Sequence, residues 1–190
     1  MKKLIISASA LLLCFQMNAQ MTWSLDKSHT KLGFTTTHLM VSETTGDFKK
    51  YDIKLTSKDE TFVDATVEAT IDVNSVLTDQ PDRDAHLKRD DMFDAAKFPT
   101  ITFKSTSFKK AEGNKFKVAG NLTIKGVTKP VVLDVTLLGV IDHPMAKKRD
   151  AGFKFTTTIK RTDFGVGAGM PGAMVGDDIT ISGSSEFFKD

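Results

Sequence analysis

The sequence predicts an all-β fold: about eight antiparallel strands closed as a barrel or folded as a sandwich, with one helical insert around residues 82–96. Three observations carry this reading. Apolar and polar residues alternate with period two along most of the chain, the links between alternating segments are short, and a single charged, helix-favouring stretch interrupts them.

At the N-terminus, Met1-Lys2-Lys3, an apolar run from Leu4 to Phe15 and the small-residue exit Met17-Asn18-Ala19 have the order of a secretory signal peptide. The apolar part is too short to span a bilayer. Three leucines precede Cys14, where small residues would be expected ahead of a lipidated cysteine, which argues against a lipoprotein. Cleavage is expected after Ala19, leaving residues 20–190 as one domain, periplasmic or secreted, without the only cysteine. Such a domain rests on core packing rather than disulfides. Lys2 and Lys3 leave with the leader, so the 26 Lys+Arg of the whole chain fall to 24, equal to its 24 Asp+Glu. A neutral surface of mixed sign argues against nucleic acid or an anionic membrane as the main partner.

The strands follow in order. Leu32-Phe34-Thr36 and Tyr51-Ile53-Leu55 alternate weakly; Val63 to Val73 alternates strictly, with Val67 and Ile71 on its apolar face. Pro81 suits a helix start, Leu87, Met92 and Phe93 supply apolar contacts to the insert, and Phe98-Pro99 marks the return to strand. Ile101 and Phe103 then face one way. Val118-Gly120-Leu122-Ile124 and Val131-Leu133-Val135-Leu137 follow, separated by a glycine-containing turn, and Phe153-Phe155-Thr157-Ile159 and Ile179-Ile181 complete the series. The segment Gly165–Gly176, with Met170, Pro171 and Met174, reads equally as a loop over a cavity or as a plain long turn.

The apolar face points inward. Trp23 and Tyr51 are the only Trp and Tyr, so the aromatic girdles of an outer-membrane barrel are missing, and the polar faces carry too many charges for a narrow lumen. Stable membrane insertion is therefore not expected. Eight strands close around a space either filled by side chains or able to hold one small ligand. Composition leaves that choice open: Phe34, Phe103, Phe153 and Phe155 serve either purpose.

No catalytic or metal motif emerges. His29, His38, His86 and His143 have no helical zinc spacing, and no cysteine remains after cleavage. Asp82, Asp84 and His86 fall at i, i+2 spacing, which does not share a helix face. Asp26, Ser28 and His29 offer triad residue types without a nucleophile elbow. Neither catalytic residues, a metal nor a cofactor is expected.

Several separate motifs, in order, resemble the YceI-like family of small secreted lipid-binding barrels: Trp23-Ser24-Leu25-Asp26-Lys27-Ser28-His29-Thr30, Gly46-Asp47-Phe48, Val73-Asn74-Ser75-Val76-Leu77-Thr78, Arg83-Asp84-Ala85-His86-Leu87-Lys88, the hairpin Gly120 to Val132, and Ile159-Lys160-Arg161-Thr162-Asp163-Phe164-Gly165. The similarity spans residues 22 to 188. It implies an extended eight-stranded antiparallel lipocalin-like barrel, periplasmic or secreted, holding a long apolar lipid such as a polyisoprenoid, an isoprenoid quinone or a fatty-acid derivative. On that implication Phe34, Thr36, Val67, Ile71, Phe103, Leu122, Ile124, Leu133, Val135, Phe153, Phe155, Met170 and Met174 line the cavity. His38, Arg83, His86 and Arg161 are candidate head-group contacts. Where many relatives carry tryptophan and glycine after a proline, this chain has His143-Pro144-Met145-Ala146. The alternatives are an enzyme acting on a small apolar substrate in the barrel, or a stress-related envelope interaction module with a filled core. The oligomeric state is left open, a homodimer included.

Overall fold

The computed structural model describes residues 20–190, so the expected leader and its cleavage site after Ala19 lie outside the described residues. Ten strand segments form one antiparallel sheet: β1 (Met21–His38), β2 (Ser42–Phe48), β3 (Tyr51–Ser57), β4 (Thr66–Asp72), β5 (Val76–Leu77), β6 (Thr100–Lys110), β7 (Lys115–Ile124), β8 (Val127–Asp142), β9 (Arg149–Lys160) and β10 (Asp178–Lys189). The sheet closes where β10 pairs with β1, from Trp23 opposite Lys189 to Thr35 opposite Thr180. β2 and β3 both pair with β1 and act as one strand bent at Lys49-Lys50. β4 and β5 likewise continue each other along β3 and β2 through a one-turn 3-10 helix, Val73–Ser75. Counted this way, the chain is an up-and-down barrel of eight strands.

Each neighbour in sequence is a neighbour in space, so the two barrel ends are defined simply. The base carries residue 20, the β3–β4, β6–β7 and β8–β9 links and the C-terminus. The rim carries the β1–β2 turn, the insert, the β7–β8 turn and the segment between β9 and β10. The β7–β8 turn is a two-residue hairpin, with Lys125 and Gly126 both left-handed at φ 50° and 75°. That is the primed geometry matching strand twist, and a Cβ on Gly126 would stand 2.5 Å from the Phe98 ring. Pro130 lies within β8, opposite Asn121 and before the register with β9 begins at Asp134. A residue without an N–H is tolerated there because one edge has no ladder to complete.

Two sequence expectations are corrected. The strand expected from Val63 begins at Thr66, because Phe62 and Asp64 adopt left-handed φ of 57° and 60° and turn Val63 out to 39% exposure. The helix expected over 82–96 is α1 (Pro81–Leu87), capped by Gln80, whose side chain accepts from Arg83 N at 2.6 Å. A longer helix would place Asp90 and Asp91, three and four residues on, beneath the apolar face of Leu87. The chain instead turns, with Asp94 left-handed at φ 51°, and brings Met92 and Phe93 down onto the barrel.

Candidate functional site

The inward faces enclose an apolar cavity of about 230 Å³. An apolar void of about 150 Å³ stays dry and accepts benzene, so this space takes a larger apolar guest. At the base it ends on Phe108, Phe153 and Phe187, with Trp23, Phe62 and Phe116 packed behind. Phe62 stands edge-on to Phe153 at 5.0 Å, and Trp23 Nε1 donates to Ser57 Oγ at 2.9 Å, so the one polar group of this plug is satisfied. The rim end is roofed by Leu87, Met92 and Phe93 from the insert and by Phe164, Val166 and Val175 from the 161–177 segment.

Glycines under aromatic rings keep the middle of the barrel open. Phe34 pairs directly with Gly46 and Phe155 with Gly183, while the Phe103 ring lies over Gly120. A Cβ on any of the three would stand within 2.8 Å of the ring above it. The rings therefore lie along the wall rather than across the lumen.

Of the residues expected to line a cavity, Phe34, Thr36, Val67, Ile71, Phe103, Leu122, Ile124, Leu133, Val135, Phe153 and Phe155 stand on its wall. Met170 and Met174 do not. Met170 packs against the core cluster from outside the cavity, and Met174 is half exposed at the rim. Three of the four expected head-group contacts also lie elsewhere. His38 is exposed at the end of β1, where it bridges Val175. Arg83 donates through Nε and Nη2 to Thr78, at 2.7 Å each, locking the start of α1. His86 pairs with Asp91 at 3.1 Å on the surface. The Arg83 and His86 side chains serve local turns, and none of the three stands on the cavity wall.

Arg161 does line the cavity and is only 4% exposed. Its Nε donates to Gly176 O at 3.1 Å, Nη1 to Val166 O and Gly167 O, and Nη2 to Met170 O at 2.8 Å and Val175 O at 3.0 Å. A guanidinium has five N–H donors, so none is free for a head group. The residue is a pin for the Gly165–Gly176 segment. Sequence reasoning also missed the roof, since Leu87, Met92 and Phe93 read as helix packing rather than as cavity wall.

Among the described residues, the only other polar side chains on the wall are the hydroxyls of Thr36, Thr157 and Ser185. Displaced titratable groups lie outside it. The His29–Asp26 hydrogen bond, 2.8 Å long, holds the Asp26 carboxyl below its usual range and the imidazole above its own; with Glu186 they form an outer-surface cluster. Ser28 bonds to Asp26 through its backbone N–H, so the triad residue types are not arranged as a triad. His143-Pro144-Met145-Ala146 turns at the base, with His143 Nδ1 accepting from Ala146 N at 3.0 Å, and does not touch the cavity.

A closed eight-stranded antiparallel barrel around an apolar cavity defines a lipocalin-like barrel. The chain belongs to the YceI-like domain family, whose profile matches residues 23–187. It is 41% identical over 146 residues to Protein YceI of Salmonella newport, covering 76% of this chain and 75% of that protein. Among solved structures it resembles BcnA of Burkholderia cenocepacia, with TM-score 0.76, 27% identity, and 85% and 98% of the two chains covered. The YCEI protein of Campylobacter jejuni gives TM-score 0.74 at 35% identity, covering 88% and 97%. A polyisoprenoid binding domain from Saccharophagus degradans shares the fold, with TM-score 0.64 at 17% identity, covering 88% and 98%.

Proposed function

We propose that the protein is a non-enzymatic binding or carrier protein that holds a long apolar lipid (a polyisoprenoid, an isoprenoid quinone or a fatty-acid derivative) inside the barrel, in the periplasm. The cavity carries the reading. Its wall is apolar apart from three hydroxyls and Arg161, and the guanidinium is already spent on backbone carbonyls. Each buried methylene contributes about 0.8 kcal/mol, so chain length rather than a head group supplies the affinity. An enzyme would need a titratable pair facing the substrate; the described wall offers only the saturated Arg161. The fold shared with the polyisoprenoid binding domain of Saccharophagus degradans is consistent with such a guest.

Organic extraction and native mass spectrometry of the purified protein test the reading. The expected result is one long-chain lipid per chain and a higher melting temperature when that lipid is added to stripped protein. Absence of lipid from the extract, together with no thermal shift on adding isoprenoids, overturns it.

A further inference from the structure

The rim ends in an apolar tip that the cavity does not use. Leu39, Met40 and Val41, at the β1–β2 turn, are 50, 75 and 83% exposed, and Met174 beside them is 49% exposed. Leu39 N donates to Met174 O at 3.0 Å and Gly176 N to Thr37 O at 2.9 Å, so turn and segment form one unit. Neither Leu39–Val41 nor Gly165–Gly176 contains a charged residue. Leu39 and Met40 are also both left-handed, at φ 51° and 58°. Glycine or asparagine is the ordinary choice for such a turn. Here large apolar side chains occupy it and face solvent.

The occupant follows from shape and position. A stable protein interface takes about 20–30 residues a side, whereas this tip offers four protruding side chains. A bilayer interface receives such a tip without needing a matching surface, and apolar groups bury there to about 5–10 Å. The tip is continuous with the cavity, because Thr36 and Val175 belong to the same two segments and line its wall. We propose that Leu39, Met40, Val41 and Met174 dip into the surface of a lipid bilayer and set the rim against it, so that a lipid passes between membrane and barrel. The inference rests on the lipid-carrier reading for its cargo. The contact is shallow and reversible, and with no charge at the tip it does not depend on salt.

Co-sedimentation with vesicles of phosphatidylcholine alone, and of phosphatidylethanolamine with phosphatidylglycerol, tests it. The protein is expected to sediment with both, unchanged between about 50 and 500 mM salt. The double variant Met40→Asp/Val41→Asp is expected to lose at least about tenfold in vesicle affinity. Aspartate tolerates left-handed φ, so its melting temperature should not fall, and it should still take up lipid presented in detergent. Wild-type protein remaining in the supernatant, or a double variant that sediments like wild type, overturns the proposal. A dimer that the double variant breaks, without vesicle binding, overturns it in favour of a second copy. Stoichiometric lipid in the extract without vesicle binding removes the docking proposal alone. Vesicle binding without extractable lipid upholds docking and removes the carrier reading.

Discussion

Arg161 Nη2 donates to the Met170 carbonyl oxygen at 2.8 Å, and the other donors of the same guanidinium reach Val166, Gly167, Val175 and Gly176. Gly165–Gly176 contains five glycines and would sample many conformations if left alone. One buried side chain just past the rim end of β9 sets its path and places Val166 and Val175 on the cavity roof. Lys125 adds a second tie at the rim, donating to Asp90 O at 2.7 Å and Gly165 O at 3.1 Å, which joins the signature hairpin to both roof segments.

Replacing Arg161 with Met keeps apolar bulk but strips the donors from five carbonyls. A loss on the order of 3 kcal/mol is expected from unsatisfied buried acceptors, or a melting temperature lower by roughly 6–12 °C at this size. Hydrogen exchange should accelerate at Val166–Val175 while β7 and β8 stay protected. Arg161→Lys should not rescue, because an ammonium offers three donors and no fork. Full rescue by Lys would contradict the pin.

The Phe–glycine pairs predict a coupled loss of stability and capacity. Gly46→Ala puts a methyl 2.5 Å from the Phe34 ring, and Gly120→Ala one 2.4 Å from Phe103 and 2.6 Å from the Lys104 carbonyl oxygen. Each ring must swing into the lumen, at about 1–3 kcal/mol for overpacking, and at Gly120 the neighbouring strand must shift as well. Both variants should bind less lipid in a displacement titration. Gly139→Ala, with nothing within 4 Å of the new methyl, is the matched control.

Much of this was legible because alternation is a local signal. Leu122, Ile124, Leu133, Val135, Phe153 and Phe155 could be placed on one wall without knowing which strands pair. The errors came from interactions that have no period. Val63 fits the alternation of its neighbours, but left-handed Phe62 and Asp64 turn it outward. The family resemblance put Met170 on the cavity, whereas its carbonyl is what the fold uses. Arg161 stands among the head-group candidates because nothing local shows that five carbonyls converge on it. The helix end needed the three-dimensional cost of burying Asp90 and Asp91, which a count of helix-favouring residues does not register.

Asp150 predicts a pH dependence. It is 5% exposed, its Oδ1 has no hydrogen-bond partner among the described residues, and burial pushes its carboxyl above the usual aspartate range. A folded pKa above the unfolded one favours folding while the group is protonated. That stability is complete below the unfolded value, 3.8, and is lost as pH rises through the folded one. Asp150→Asn removes the charge without changing shape. It should be more stable than wild type at pH 7 by about 1 kcal/mol, or roughly 2–4 °C, with the difference vanishing near pH 3. A constant difference across that range would show that ionisation is not its source.

Ala69 separates cavity filling from unfolding. It lies on β4 between Val67 and Ile71 and opposite Phe103, with its methyl on the wall of the lumen. Ala69→Phe projects a ring into space that a lipid chain would occupy, without removing a hydrogen bond or a core contact. In lipid-free protein the ring fills a void, so the melting temperature should stay level or rise by up to about 1 kcal/mol equivalent. In the presence of lipid the order reverses, because wild type gains ligand stabilisation, near 2.7 kcal/mol at a hundredfold excess over the Kd, and the variant does not. Thermal shifts with and without an added isoprenoid read both halves. If the variant keeps the full ligand shift, lipid does not pass through this section of the barrel.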